Sequence, residues 1–412
     1  MSRLAWPAPK IDRNTSLATL LPANRQLIFA LLCCGSFVGA FNSLFVIPLL
    51  PLIVRDLGVD VSMGGLLVAA PTLVSAGTAL WVGPAMDRHG RKPFVVCGLT
   101  LIGATMLLAS VVPSFWMVVV LRAIAGLGMA GLMPATISAA GDYFPYAERG
   151  KAMGWAISAN GVAPVVGVPL GSVLAGFTSW RWTFIMLASL SLVLALVLLR
   201  SLPTQTRSSD ARAPRPSAWG TLRHQPVGFG VLAMGLHSAC WFCILSFMAA
   251  LFSDRFGLAD WALGALNFTT GSAMMLGSTL GGRLADRFGK RMVLLSAGLT
   301  STAFGMALTT LAPTISVAFM CLFLFALPNG ARGSSSQAIM SELVPTARAT
   351  VTSLSGAAGN LGAALGAGLA GLVVGVFGYT ALGPVAGLLS LISLALFWAF
   401  VHERQPAPAT SS

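Results

Sequence analysis

Twelve long apolar runs, separated by short polar segments, make up most of this chain. A helix needs roughly 20 apolar residues to cross the hydrocarbon core of a bilayer, and the runs are close to this length or longer. In lipid such runs form helices, because every backbone amide and carbonyl needs a partner within the protein. The pattern therefore predicts twelve transmembrane helices, called spans 1 to 12. The runs cover residues 27–50, 62–83, 94–112, 115–141, 152–176, 182–200, 226–253, 261–281, 292–311, 315–341, 350–376 and 381–401.

The composition excludes an ordinary soluble domain. The 412 residues are 56% hydrophobic and 9% charged, with a mean hydropathy of +0.83, whereas soluble domains carry roughly 25% charged residues. The first 26 residues are polar and basic and contain no small-residue cleavage site, so we expect the spans themselves to direct insertion. The net charge of +13 does not indicate a nucleic acid partner, because the basic residues lie in short loops beside the apolar runs.

The distribution of basic residues predicts the orientation in the membrane. Of the 25 lysines and arginines, 20 fall on one side, and Arg55, Arg181 and Arg255 fall on the other. The basic side is expected to be cytoplasmic, so both termini should lie in the cytoplasm of a bacterial-type inner membrane. The predicted organisation is a tail (1–26), a six-helix bundle (27–200), a proline-containing basic linker (201–225), a second six-helix bundle (226–401) and a tail (402–412).

An internal repeat supports this division into halves. Residues 83–93 read GPAMDRHGRKP and residues 282–292 read GRLADRFGKRM, which places glycine, aspartate, arginine, glycine and a basic residue at the same spacing. At a similar offset, Asp142 corresponds to Glu342. Such repeats are typical of transporters built from two similar halves.

The repeated loop resembles the signature of the major facilitator superfamily. The resemblance spans the whole chain and implies an all-α membrane protein, with twelve helices in two pseudo-symmetric six-helix bundles that work by alternating access. It also implies that the loop latches the outward-open state through an acid at the inner end of span 4, which is Asp142 here. The expected gate residues are Gly83, Asp87, Arg88, Gly90, Arg91, Asp142, Asp286, Arg287 and Gly289.

A second motif lies in span 5. Residues 163–171 read APVVGVPLG, which resembles the G-P-x-x-G-x-P-x-G motif of drug–proton antiporters, with Ala163 in place of the first glycine. The resemblance favours export over uptake. Glycine and proline here should bend the helix and permit close packing. The expected helix-bending residues are Gly161, Pro164, Gly167, Pro169 and Gly171.

Large polar residues inside the spans indicate where a substrate would bind. Such groups must face protein or a wet cavity, and they are missing from spans 3, 6, 9 and 12, which we therefore expect to face lipid. Arg122 in addition resembles the arginine of the family's fourth-helix motif. With Trp241, the candidate substrate-binding residues are Asn42, Arg122, Asn160, His237, Asn267, Asn329, Arg332 and Asn360.

The charges of these residues narrow the substrate class. All twelve acids lie in loops, tails or span ends, so Arg122 and Arg332 are expected to give the cavity a positive charge that favours anionic or neutral compounds over cations. His237 could carry a coupled proton or remain neutral and hydrogen-bonded. Cys240 and Cys243 share a helix face and suit a soft metal, but one helix cannot surround an ion, so neither a metal nor a cofactor is expected.

The sequence thus predicts a secondary transporter, specifically a proton-coupled exporter of small anionic or neutral organic compounds. The alternatives are organic-anion uptake by symport or facilitated diffusion, a soft-metal transporter, and a membrane receptor that moves no solute. An enzyme is not expected, since the spans contain no acid pair, HExxH or serine–histidine–aspartate set. The expected partners are the substrate, a proton and the lipid bilayer, without nucleic acid, and the chain is expected to be monomeric.

Overall fold

The computed structural model describes residues 22–144, 146–202, 218–344 and 348–401, which are almost entirely helical and contain no β-strand. Most of the two expected tails and of the expected linker lies outside these ranges. Asp87 and Asp142 fall within the ranges, but their side chains are outside the described part of the structure. The α-helices of the described ranges are α1 (Pro22–Leu44), α2 (Val46–Asp56), α3 (Leu66–His89), α4 (Lys92–Ala109), α5 (Phe115–Tyr143), α6 (Tyr146–Val162), α7 (Val168–Phe177), α8 (Trp180–Ser201), α9 (Ala218–Arg223), α10 (Gln225–Phe256), α11 (Gly264–Phe288), α12 (Lys290–Thr310), α13 (Ile315–Leu343), α14 (Arg348–Phe377) and α15 (Leu382–Phe400).

These helices form the twelve predicted spans, which confirms the all-α fold. Eleven spans in the described part of the chain are long and apolar enough to cross a membrane by composition alone. Span 8 (α11) is the exception because hydroxyl and amide side chains interrupt its apolar sequence, yet its 25 residues extend about 37 Å. Helices α1 and α2 together form span 1, helices α3, α4 and α5 form spans 2, 3 and 4, and helices α6 and α7 together form span 5. Helix α8 forms span 6, α9 precedes span 7, and α10 to α15 form spans 7 to 12 in order.

Prolines account for the interruptions in spans 1 and 5. Helix α1 ends at Leu44, whose carbonyl lies four residues before Pro48 and would clash with the proline ring in a continuous helix. In span 5 the chain takes a π-helical turn from Ala163 to Gly167, between α6 and α7. Pro164 and Pro169 each lack an amide hydrogen there, and π-turns of this kind occur often at functional sites.

The spans pack as two groups. Spans 1 to 6 contact one another through pairs such as α3 with α5 and α4 with α8, and spans 7 to 12 through pairs such as α10 with α14 and α11 with α13. Contacts between the groups join span 2 to span 11, span 5 to span 8, and span 1 to span 7. The contact between spans 2 and 11 is the counterpart, in the repeat, of the contact between spans 8 and 5, as a pseudo-symmetric arrangement requires.

Backbone contact between the groups occurs in one half of the membrane. We call the side that carries loops 84–93 and 282–291 the basic side, and the contacts lie toward the opposite side. A Cβ atom on Gly65 of span 2 would lie 2.4 Å from the Ala367 carbonyl oxygen of span 11, and one on Gly371 would lie 2.4 Å from the Ser62 carbonyl oxygen. Only glycine permits this approach, so the two bundles close together at the side opposite the basic one.

Polar contacts at the opposite side reinforce this closure. The guanidinium of Arg55, at the end of span 1, lies 3.4 Å from the carboxylate of Asp260, at the start of span 8, and joins the two bundles. The neighbouring Asp56 accepts hydrogen bonds from Arg181 and Trp180 of span 6.

Spans 3, 6, 9 and 12 pack against other spans of their own bundle and carry exposed apolar side chains, including Leu108, Val193, Leu299 and Leu388. Exposed tryptophans lie near the ends of the spans, as is usual at the two membrane interfaces. These are Trp116, Trp182 and Trp261 toward the opposite side and Trp81, Trp155 and Trp398 toward the basic side.

Candidate functional site

A cavity of about 380 Å³ lies between the two bundles, on the basic side of the contact between spans 5 and 8. Its walls come from spans 1, 5, 7 and 8, so both bundles contribute. Its volume falls within the range of small-molecule sites, which is roughly 300–1,000 Å³. The lining residues are Leu44, Ser158, Gly161, Val162, Pro164, Trp241, Leu245, Asn267, Thr270, Gly271, Met274, Met275, Ser278 and Thr279.

The cavity lining carries no charged side chain in the described part of the chain. Its polar groups are hydroxyls, the amide of Asn267 and the indole of Trp241, and the rest of the lining is aliphatic or thioether. A surface of this kind suits neutral and mainly apolar ligands, because a bound ion would lose hydration without gaining a counter-charge.

One end of the cavity is closed and the other is open. At the closed end Asn267 and Thr270 are buried, and Gly271 packs against Pro164, where an added Cβ would lie 3.1 Å from the proline carbonyl carbon. At the other end, toward the basic side, Ser278 and Thr279 are exposed. A solute can therefore reach this cavity from the basic side.

Arg122 does not line the cavity in this conformation, contrary to the expectation from the sequence. It is fully buried, and its Nη1 donates to the backbone oxygen and to Oδ1 of Asn42, both at 3.1 Å. Its Nε donates to the Leu67 carbonyl oxygen at 3.3 Å, and the guanidinium lies 5.3 Å from the centre of the Phe45 ring. Arg122 thus ties span 4 to spans 1 and 2, and the neutral oxygens hold it inside the bundle.

Arg332 is likewise placed inside its bundle rather than on the cavity wall. It is 2% exposed, and it donates to Ser390 Oγ at 2.9 Å and to Ser393 Oγ at 2.7 Å, both on span 12. Ser393 in turn donates to the Ala233 carbonyl oxygen of span 7 at 2.6 Å. These bonds join spans 7, 10 and 12 in the second bundle, as those of Arg122 join spans 1, 2 and 4 in the first.

Of the nine candidate residues, Trp241 and Asn267 line the cavity. Asn42 is buried against Arg122, and Asn329 is 3% exposed within its bundle. Three others are half-buried and lie outside this lining, namely Asn160, His237 and Asn360.

The signature loops share a backbone feature in the two halves. Gly90 follows α3 with φ +82°, and Gly289 follows α11 with φ +88°, a conformation that other residues rarely adopt. Arg88, Asp286 and Arg287 are exposed near these turns. Both glycines allow a sharp change of direction between two spans.

In the second bundle, a salt bridge fixes the acidic residue at the end of span 10. Lys290, which begins span 9, donates to Glu342 Oε1 at 2.6 Å. Glu342 is the counterpart of Asp142 in the repeat. The role of Asp142 with Asp87 in the gate stays a prediction, because both side chains lie outside the described residues.

Comparison with known proteins agrees with this architecture. The family model described as the Major Facilitator Superfamily matches residues 32–277 and 232–412. The chain belongs to the major facilitator superfamily. This family and its fold are those of transporters rather than enzymes, so the chain is a multi-pass transporter.

Several relatives within the superfamily cover most of the chain. A chloramphenicol resistance protein of Streptomyces lividans is 28% identical and covers 88% of this chain and 94% of its own. Multidrug resistance protein 2 of Bacillus subtilis is 24% identical over 73% of this chain and 77% of its own. A solved bacterial homologue of the human lysosomal transporter Spinster, described as inward-facing and unoccupied, has 16% identity and a TM-score of 0.77 over 94% of this chain and all of its own, which shows a common fold.

The span 5 motif of this major facilitator chain contacts span 8. Pro164 touches Gly271, and Pro169 touches Gly264, where an added Cβ would lie 2.9 Å from the Pro169 carbonyl oxygen. Gly167 and Gly171 face Phe37 and Phe41 of span 1, whereas the Cα of Gly161 borders open space. The motif therefore packs span 5 on both neighbours and closes the cavity at one end.

Sequence reasoning missed most of the span 8 lining. A helical spacing of three and four residues connects Asn267, Thr270, Gly271, Met274 and Ser278. This spacing was available in the sequence, but serine, threonine and methionine are common on buried faces and carry little signal one at a time.

Cys240 and Cys243 are both buried and free. In the described part of the chain, no group of three or more histidine, cysteine or acidic residues could hold a metal ion. The cavity's chemistry therefore rests on neutral polar groups, an indole and thioethers.

Asp87→Asn is expected to stop or strongly slow transport while leaving membrane insertion intact. The motivation is the signature loop, in which a carboxylate can accept hydrogen bonds from a helix N-terminus and pair with arginine, whereas an amide loses the charge. Transport should be measured at equal amounts of correctly inserted wild type and variant. Normal transport by Asp87→Asn would contradict the latch.

Proposed function

We propose that this transporter exports small neutral organic compounds from the cytoplasm across the inner membrane. The observation that carries the proposal is the cavity between the bundles, whose described lining holds no charge. The two buried arginines, which had favoured anions, have neutral protein partners instead. We therefore favour neutral compounds over anionic ones as substrates. Organic-anion uptake, the alternative from the sequence, rested mainly on the two arginines and is no longer favoured.

The orientation in this proposal follows from the basic residues. With 20 of 25 lysines and arginines on one side, that side should face the cytoplasm, and both termini with it. The cavity is then open to the cytoplasm and closed toward the outside, so the structure corresponds to an inward-facing state. An exporter in this state is ready to load its substrate, and rocking of the bundles would release it outside.

Export rather than uptake is supported by the motif in span 5 and by the resistance proteins among the relatives. Proton exchange is the proposed energy source, with a monomer as the working unit. His237 is the proposed proton carrier; it lies half-buried in span 7, and its Nδ1 has no hydrogen-bond partner.

The proposal is tested by drug accumulation in cells that lack their major exporters. Cells expressing the chain should accumulate less chloramphenicol, which is neutral, than cells expressing equal amounts of the Asp87→Asn variant. Ethidium, a lipophilic cation, and nalidixate, a carboxylate, should accumulate equally in both. Collapse of the proton gradient should abolish the difference for chloramphenicol. Preferential extrusion of nalidixate or ethidium would contradict a cavity selective for neutral compounds.

A further inference from the structure

The amide of Asn267 is an unsatisfied group at the closed end of the cavity. The residue is 3% exposed, it lines the cavity, and its Nδ2 has neither a hydrogen-bond partner nor contact with solvent. Buried donors in proteins are almost always paired, because an unpaired one loses the hydrogen bonds that water would provide. Because Asn267 lines the cavity, rotation of its amide toward the cavity would bring this unpaired donor within reach of a ligand atom.

Hydroxyl groups nearby on span 8 are already used as donors. Thr270 Oγ1 donates to the Leu266 carbonyl oxygen at 2.9 Å, and Thr279 Oγ1 donates to the Leu276 carbonyl oxygen at 2.8 Å. Both bonds return to the helix that carries the threonine. Asn267 differs from these two residues because its Nδ2 donor is not satisfied by its own helix.

Trp241 provides a fixed flat surface in the same cavity. Its ring stacks on Phe325 with the centroids 5.0 Å apart and an angle of 15° between the planes. Because the stacking holds the indole in place, a ligand ring can pack on it without first ordering the side chain. Met274 and Met275 also line the cavity, about two helical turns along span 8 from Asn267, and thioethers adapt well to aromatic ligands.

We infer that Asn267 and Trp241 form a two-point recognition site for neutral aromatic compounds that carry a hydrogen-bond acceptor. The aromatic ring packs on the Trp241 indole, and a carbonyl, nitro or ether oxygen accepts a hydrogen bond from Asn267 Nδ2. The inference rests on the proposed neutral cavity and adds selectivity within it. A compound of the same shape without the acceptor leaves the amide unpaired and binds less well.

A matched pair of probes tests this assignment on the full chain in lipid nanodiscs. 2-Acetylnaphthalene carries a ketone oxygen, and 2-ethylnaphthalene has nearly the same shape without it. After subtraction of binding to empty nanodiscs, wild type should bind the ketone about tenfold more tightly than the hydrocarbon. In Asn267→Leu the preference should vanish, while binding of 2-ethylnaphthalene is kept.

Two further variants assign the roles. Trp241→Leu should weaken binding of both probes by roughly threefold to tenfold without changing their ratio. Asn329→Leu is the matched control, since Asn329 is equally buried but does not line the cavity, and it should keep the wild-type ratio.

The outcomes separate this site from the proposed function. Equal binding of the two probes to wild type, the same ratio in wild type and Asn267→Leu, or no binding of either probe would each overturn the two-point site. These results would leave the chloramphenicol accumulation result as it stands. Tighter binding of 2-naphthoate than of 2-acetylnaphthalene would instead contradict the neutral cavity itself.

Discussion

Gly371→Ala is expected to abolish transport, with at least a tenfold loss of rate, because the bundles can no longer close on the side opposite the basic one. The added Cβ would lie 2.4 Å from the Ser62 carbonyl oxygen of span 2. A backbone atom cannot turn away as a side chain can, so spans 2 and 11 must separate. The variant should therefore occupy the conformation in which these spans are apart.

The same helix provides the control for this substitution. A Cβ added to Gly368 would meet no neighbouring atom within 4 Å, so Gly368→Ala should transport normally. In Gly65→Ala the added Cβ would lie 2.4 Å from the carbonyl oxygen of Ala367, which belongs to the other bundle. This variant should show the same defect as Gly371→Ala. Agreement between the two defective variants would assign the effect to the interface rather than to one helix.

Labelling reports the conformational change directly. Asn267→Cys, in a background lacking the six native cysteines, places a thiol at the closed end of the cavity. A membrane-impermeant maleimide added from outside should label it faster in Gly371→Ala than in otherwise unchanged protein. Unaltered transport together with unaltered labelling in Gly371→Ala would show that this contact is not needed for closure.

Arg122→Gln is expected to lower the free energy of unfolding by about 2–4 kcal/mol, since it deprives buried oxygens of their donors. The guanidinium bonds both oxygens of Asn42 and the Leu67 carbonyl, and glutamine can restore only part of this set. Arg122→Lys should recover only part of the loss, because a single ammonium cannot reproduce the planar fork. The measurement is denaturation of purified protein in mixed micelles.

An exposed arginine serves as the comparison for Arg122. Arg88→Gln, on the basic side, should change the unfolding free energy by less than about 0.5 kcal/mol. Folded Arg122→Gln protein should still bind 2-acetylnaphthalene as wild type does, because Arg122 does not line the cavity. Wild-type stability combined with a selective loss of an anionic ligand would instead assign Arg122 to the substrate.

The sequence was sufficient for the spans, their pairing into halves and the family, because lipid restricts the backbone to helices and the signature loop occurs twice. Asn267 and Trp241, which line the cavity, were also among the candidates from the sequence. It could not place the arginines, since a polar residue at membrane depth can face either a cavity or another helix. Arg332 faces another helix because it donates hydrogen bonds to Ser390 and Ser393, which lie about 60 residues away in the sequence.

The cavity wall formed by span 8 was the hardest part to predict for a related reason. Its lining depends on which face of α11 turns toward span 5, and this follows from the contacts of Gly264 and Gly271 with Pro169 and Pro164. The span 5 motif was visible in the sequence, but its partner was not.

The polarity of span 8 also has a consequence for how the protein is made. Span 8 is less apolar than the other eleven spans of the described chain, so its transfer into lipid as a single helix is only weakly favoured. Span 8 packs against spans 5, 9 and 10, which cover part of its polar surface. We therefore expect span 8 to enter the membrane together with neighbouring helices rather than alone. The polar side chains that line the cavity are the ones that create this requirement.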